Sequence, residues 1–139
     1  MTFADITIVP VSAARKVAYL AFSRRMADIY RAHGATRIID YWQADGFVNQ
    51  ASFHADGVAY GEGELADFAR IAGALESESV VVTITEWPSR EARDRGTAAA
   101  TSDPRVLATL DEEPVFDGSR LIATSFEVVL SVDKMDEFQ

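Results

Sequence analysis

The chain has no cysteine, which excludes disulfides, thiolate nucleophiles and thiolate metal sites and fits a reducing, cytoplasmic setting. Histidine is scarce: the 139 residues hold two, His33 and His54, far apart. Neither is accompanied by a carboxylate motif with zinc or non-haem iron spacing, so no metal and no cofactor is expected. No stretch approaches the roughly 20 apolar residues of a membrane span. The start, Met1-Thr2-Phe3-Ala4-Asp5, lacks the basic segment and apolar run of a signal peptide. Positive charge is in deficit, with 13 Lys and Arg against 22 Asp and Glu, a formal net charge of −9. That balance repels phosphate backbones and anionic lipid, which argues against nucleic acid or membrane partners. Arg90, Arg93 and Arg95 do cluster, but Glu91 and Asp94 interleave them, as on a solvated helix face. Gly61-Glu62-Gly63 lacks both the lysine-serine ending of a phosphate loop and the third glycine of a dinucleotide fingerprint.

What is present is a junction used twice. Ile6-Thr7-Ile8-Val9-Pro10-Val11-Ser12 and Val82-Thr83-Ile84-Thr85-Glu86-Trp87-Pro88-Ser89 each end a β-branched run in proline, and each offers a serine where a helix N-cap is wanted. Two strand–helix–strand units in tandem predict an α+β, ferredoxin-like βαββαβ fold with a four-stranded antiparallel sheet. Strands are expected over about 3–9, 35–43, 79–87 and 120–132, and long helices over 12–33, ending at Gly34, and 89 to about 100. The whole reads as one domain, 1–132, with an irregular insertion at about 45–78 holding a short amphipathic helix near Leu65–Ala72. Residues 133–139 are expected to be a flexible tail. Asp103-Pro104 opens another short helix, and Asp117-Gly118 makes a turn before the last strand.

The third and last strands carry apolar residues on both faces, Val80, Val82 and Ile84 against Val81 and Trp87 in the third, Ile122, Phe126, Val128 and Leu130 against Leu121, Ala123 and Val129 in the last, which demands two covers. Both right-handed crossovers put their helices on the same face. The other face then needs a partner. Val82 and Phe126 are expected to belong to the core.

Candidate chemical residues are few. Glu86 and Glu127 sit in apolar strands and could act as general bases facing a common space across the first strand, or pair with Arg37, Arg90 or Arg120 as structural ion pairs. His33, at a helix C-terminus, serves as a dipole-capping group or as an acid or base. Tyr41, Trp42, Trp87 and Phe126 suit a cavity wall between sheet and helices, with Arg90 and Arg120 as further ligand candidates, although cores favour the same aromatic residues. Ser12 and Ser89 read as caps, because no histidine is placed to activate them.

Three pieces carry a resemblance: His33-Gly34-Ala35, then Trp87-Pro88-Ser89-Arg90 with Arg93-Asp94, then Phe116-Asp117-Gly118-Ser119-Arg120-Leu121-Ile122 leading into Phe126-Glu127. Together they are similar to the YbaA-like proteins, domain of unknown function 1428, in the dimeric α+β barrel superfamily, over nearly the whole chain. The resemblance implies a homodimer whose two sheets pack face to face. The chain departs from it in having no lysine between Asp45 and Gly63, and Ala123-Thr124-Ser125 where a glycine pair is expected. The family carries no settled activity, so three functional classes stay open. They are an uncharacterised protein binding a small molecule between sheet and helices, a cofactor-independent enzyme of the monooxygenase or isomerase type using a strand carboxylate or His33, and a protein-interaction module.

Overall fold

The computed structural model of the chain describes residues 1–45 and 50–134; Gly46 and most of the segment expected as a tail lie outside them. Its centre is one antiparallel pair. β1 (Phe3–Ser12) runs beside β5 (Glu78–Trp87) over their full lengths, from Phe3 opposite Trp87 to Ser12 opposite Glu78. β2 (Arg37–Trp42) flanks β5, and β6 (Ile122–Glu127) flanks β1, in the order β2-β5-β1-β6. All three pairings are antiparallel, as the tandem strand–helix–strand pattern predicts.

β1 is longer than its alternation suggests, because Pro10 lies within it. Proline is tolerated there since the β6 ladder stops at Ile8, leaving β1 with a single neighbour. Ser12 is therefore the last strand residue and makes no side-chain cap; a 3-10 turn, Ala13–Arg15, precedes α1 (Lys16–Ala32). The second serine does cap. Ser89 accepts from the Ala92 N–H at the start of α3 (Arg90–Thr101). Asp103 likewise caps α4 (Pro104–Thr109), with proline in its first turn.

The middle of the chain is less ordered by local pattern. Asp56 and Gly57, both at positive φ, turn the two-residue strands β3 (His54–Ala55) and β4 (Val58–Ala59) into a small hairpin, the geometry that Asp-Gly favours. His54 is exposed in it. The expected amphipathic helix shortens to α2 (Phe68–Ala72), capped by Asp67 and stopped by Gly73. Its Phe68 and Ile71 are exposed and only Ala72 is buried. α2 packs near the ends of β1 and β5, on the side opposite α1, where Pro10 and Val80 are buried. Arg120 braces that corner, donating to both Glu78 carboxylate oxygens at 2.7 and 2.9 Å and to the Gly73 carbonyl at 2.7 Å.

α1 and α3 cover one sheet face over a core of Val9, Val11, Tyr19 and Val81, joined by Trp42, Val115 and Phe116. At the far end Trp87 is 0% exposed. Gly96 of α3 makes room for it: a Cβ there would stand 2.3 Å from Trp87 Cζ3 and 2.6 Å from the His33 carbonyl oxygen. The other face is open apart from α2. Phe126 is 48% exposed and Val82 only half-buried, so neither belongs to a closed core within this chain. The last strand is shorter than 120–132 for a plain reason. The Val128 N–H donates to the Thr2 carbonyl, and beyond it no β1 residue stands opposite; Val129 and Leu130 are exposed.

Two outcomes follow from this packing. Gly→Ala in a helix interior ordinarily stabilises by about 1 kcal/mol; Gly96→Ala is expected to do the reverse, lowering stability by about 1–3 kcal/mol in urea denaturation because neither the indole nor the carbonyl can yield. The Arg120 hydrogen bonds, followed by that of the Leu75 N–H, hold the Glu78 carboxyl below its ordinary value of 4.5. A carboxylate whose pKa is depressed in the fold stabilises it fully above the unfolded value and loses that contribution as pH falls through the folded one. Denaturation curves from pH 7 down to about 3 should therefore show a shallower acid limb in Glu78→Gln than in the parent.

Candidate functional site

Alternation in β1 and β5 sends Asp5, Thr7, Thr83 and Thr85 to the helix-covered face, and register sets them in pairs, Asp5 opposite Thr85 and Thr7 opposite Thr83. Four polar residues at the middle of the two central strands leave the core divided. Between this polar floor and α1 and α3 lies a cavity of about 480 Å³, within the range of small-molecule sites. Its walls are aromatic, Tyr19, Phe22, Tyr30, Trp87 and Phe116. Phe116 comes from the segment before β6 and meets Tyr19 and Phe22 edge-on, with centroids 6.1 and 6.2 Å apart.

Two polar clusters stand on this floor. In the first, the Arg93 Nε of α3 donates to both oxygens of Asp5 at 3.1 and 3.0 Å, and Ser125 Oγ of β6 donates to Asp5 Oδ1 at 2.5 Å. Arg93 Nη1 also reaches Asp94 at 3.1 Å. Its guanidinium pKa is raised, chiefly by the hydrogen bond to Asp5. In the second, Asp40 of β2 accepts from Ser23 of α1 and from Thr83 of β5. The Tyr19 phenol lies against the same two hydroxyls, its pKa raised mainly by burial and further by the charge of Asp40. Burial raises Tyr30 in the same way, helped by Asp5. Both phenols are thus neutral donors near pH 7.

Trp87 belongs to this cavity and carries its one anomaly. Among the described residues, its indole N–H is the only buried side-chain polar atom without a hydrogen-bond partner. Leaving such a group unpaired costs about 1–3 kcal/mol, so a native structure that tolerates it calls for an explanation.

The residues singled out from sequence are dispersed by the fold. Of Tyr41, Trp42, Trp87, Arg90, Arg120 and Phe126, only Trp87 lines the cavity. Trp42 packs in the neighbouring core against Tyr19, with Lys16 Nζ 5.0 Å from its ring centroid. Arg90 lies over the Phe3 ring and Arg120 braces Glu78. Tyr41 and Phe126 pair with Val82 and Ala4 on the open face. Glu86 and Glu127 do not share a space. Register puts Glu86 beside Ala4 and Glu127 beside Phe3, and successive strand residues point to opposite faces. Glu86 faces Arg37 at 3.5 Å, the structural ion pair weighed above, while Glu127 is exposed. His33 ends α1 and places Nε2 2.8 Å from Asp103 Oδ2. That carboxyl is pulled far below the usual range by Arg105 first and His33 second. Asp5, Asp40, Ser23, Thr83 and Ser125 escaped sequence reasoning. For Asp5 and Thr83 the available signal was polar residues recurring at alternate positions in the two central strands. Among the described residues no three His, Asp or Glu side chains gather closely enough to hold a metal ion.

Comparison with known proteins bears on the fold and the family. The uncharacterized protein YbaA of Escherichia coli K12 is 32% identical over 130 residues, covering 94% of this chain and 98% of YbaA, and YbaA of Shigella flexneri matches equally. Among solved structures, Rv0793 from Mycobacterium tuberculosis aligns with a TM-score of 0.53 at 16% identity, covering 96% of this chain and all of that one. SnoaB from Streptomyces nogalater, described as a cofactor-independent oxygenase, aligns with a TM-score of 0.52 at 14% identity, covering 96% and 98%. At such identities the likeness is one of fold alone. A family profile described as "Protein of unknown function (DUF1428)" matches residues 2–118. With that match and the one to YbaA, the chain belongs to the DUF1428 family, the YbaA-like proteins on a ferredoxin-like α+β fold.

Proposed function

We propose that this protein binds a small organic molecule in the cavity between its sheet and helices, and that it works as a homodimer joined through the open sheet face. The observation that carries the first part is a cavity of about 480 Å³ between sheet and helices, walled by aromatic rings over a polar floor. The cavity's carboxylates favour binding over acid–base chemistry: Asp5 is held by Arg93 and Ser125, and Asp40 by Ser23 and Thr83. Carboxylate oxygens already engaged in this way have fewer lone pairs left to meet a substrate proton. Glu86, Glu127 and His33, the acid–base candidates, lie away from the cavity wall.

Support for the dimer is the character of the open face. Ile6, Ile8, Ile39, Val82 and Ile84 are half-buried there, while Tyr41, Ile122 and Phe126 are exposed beside them. Contiguous exposed apolar surface of this kind on one sheet face is uncommon in monomers. A second copy of the same face would cover it by two-fold symmetry.

A thermal-shift screen of small aromatic compounds should yield binders that raise the melting temperature of the parent, since ligand at a hundredfold excess over Kd adds about 2.7 kcal/mol. Ala123→Phe projects a ring into the cavity from β6 and should abolish those shifts while circular dichroism stays native. Shifts that persist in this variant would move the binding site elsewhere. Sedimentation at micromolar concentration is expected to give a dimer for the parent and a folded monomer for Phe126→Glu. A monomeric parent would overturn the second part of the proposal.

A further inference from the structure

Resting on the reading of the cavity as a ligand site, we infer that it selects an organic cation, an amine bearing methyl groups or rings, held among Tyr19, Phe22 and Phe116 in front of Asp40. Aromatic rings attract such cations because each π face carries partial negative charge, and the attraction is strongest where water is kept out. These three side chains stand together on the cavity wall, Phe116 meeting Tyr19 and Phe22 at centroid separations of 6.1 and 6.2 Å. Interplanar angles of 64° and 69° set the rings across one another, as the sides of a box are set. Phe22 already takes one cation in this way, since the Arg25 guanidinium lies 5.9 Å from its ring centroid.

The charges around the cavity favour the same sign of ligand. Arg93 is matched by Asp5 and Asp94, and Arg25 by Glu112. Asp40 is left over: it accepts from the Ser23 and Thr83 hydroxyls, and among the described residues no salt bridge reaches it. A neutral hydroxyl steadies a carboxylate without cancelling its charge, and the Tyr19 phenol beside these hydroxyls, neutral as well, leaves the balance unaltered. Ser23 and Thr83 both line the cavity, which puts the charge one side chain behind the wall. The two phenols on that wall register the sign. Asp40 helps to raise the pKa of Tyr19 and Asp5 that of Tyr30, the second in spite of the guanidinium paired with Asp5. A compact, strongly hydrated ammonium would give up its water shell for rings that replace little of it, whereas a methylated or ring-bearing amine loses less and fills the apolar wall. The way in lies along β6, whose Leu121, Ala123 and Ser125 line the cavity and stay exposed.

Isothermal titration calorimetry with three isosteric phenols tests this. The probes are 3-hydroxyphenyltrimethylammonium, 3-tert-butylphenol and 3-hydroxybenzenesulfonate, which share a ring, a hydroxyl and a tetrahedral head and differ in the charge of that head. Near pH 7 and at about 0.15 M salt the cation is expected to bind about tenfold tighter than the tert-butyl compound, and the anion weakest of all. Ala123→Phe should abolish the heat of the cation, which places it in the cavity. Asp40→Asn should cut the advantage of the cation over its neutral isostere by about fivefold and leave the affinity of the isostere unchanged. Phe116→Leu keeps an apolar wall but removes a π face, so it should likewise weaken the cation more than the isostere. It decides the matter alone if Asp40→Asn fails to fold by circular dichroism. Equal or tighter binding of the neutral or anionic compound by the parent overturns the inference and leaves the ligand-site reading standing. A cation preference undiminished in these two variants does the same, because it would then come from the net charge of −9 and not from the cavity. No heat from any of the three, or heat unchanged in Ala123→Phe, overturns both.

Discussion

The uninterrupted antiparallel register between β1 and β5 is the constraint on which the rest of this structure depends. Ten residue pairs, Phe3 with Trp87 through Ser12 with Glu78, lock two strands whose side chains alternate strictly between the faces. Shifting one strand by a single residue would turn Asp5 and Thr7, or Thr83 and Thr85, away from the helices and bring isoleucines in their place. The apolar half of the register is cored by Val9, Val11 and Val81. The polar half is what leaves a cavity where a fully packed interface would otherwise stand. One ladder thus sets both the stability of the sheet and the chemistry of its floor.

The helices are held to this ladder at points that also shape the cavity. Gly96 lets α3 approach closely enough for Trp87 to be enclosed, and the His33 carbonyl at the end of α1 meets the same spot. Arg93, one turn earlier on α3, then reaches Asp5. At the other end Ser23 of α1 reaches Asp40 of β2, and Phe116 closes the wall against Tyr19 and Phe22. The segment bearing Phe116 is fastened to α1 by Arg25 on Glu112 and to the 3-10 turn before it by Arg15 on Glu113, exposed pairs of small individual worth. Its position depends more on the buried aromatic contacts than on those charges.

Much of the fold was legible in the residues taken in order. The strand–helix–strand doubling, the Ser89 and Asp103 caps, the stop at Gly34 and the turn at Asp117 all depend on neighbours within a few positions, and the structure bears them out. Ser12 misled because a strand can absorb a proline wherever it has one neighbour only, a fact about the length of β6 and not about the local sequence. Phe126 looked like core because its strand is apolar, yet half of its surface faces outward. A hydrophobic pattern reports which residues avoid water. It does not report whether the cover comes from the same chain.

The sequence by itself determined which segments form strands and helices, which face of each is apolar, and the absence of thiol chemistry, because each of these is written in alternation, capping residues and composition. Only the tertiary structure decided the site. Asp5 meets Arg93 across 88 positions and Ser125 across 120, and Thr83 meets Asp40 across 43. Those meetings follow from strand order and register, which are properties of how the whole chain pairs, and no local pattern encodes them. The same holds for the separation of Glu86 from Glu127, two carboxylates parted by one step of the pleat.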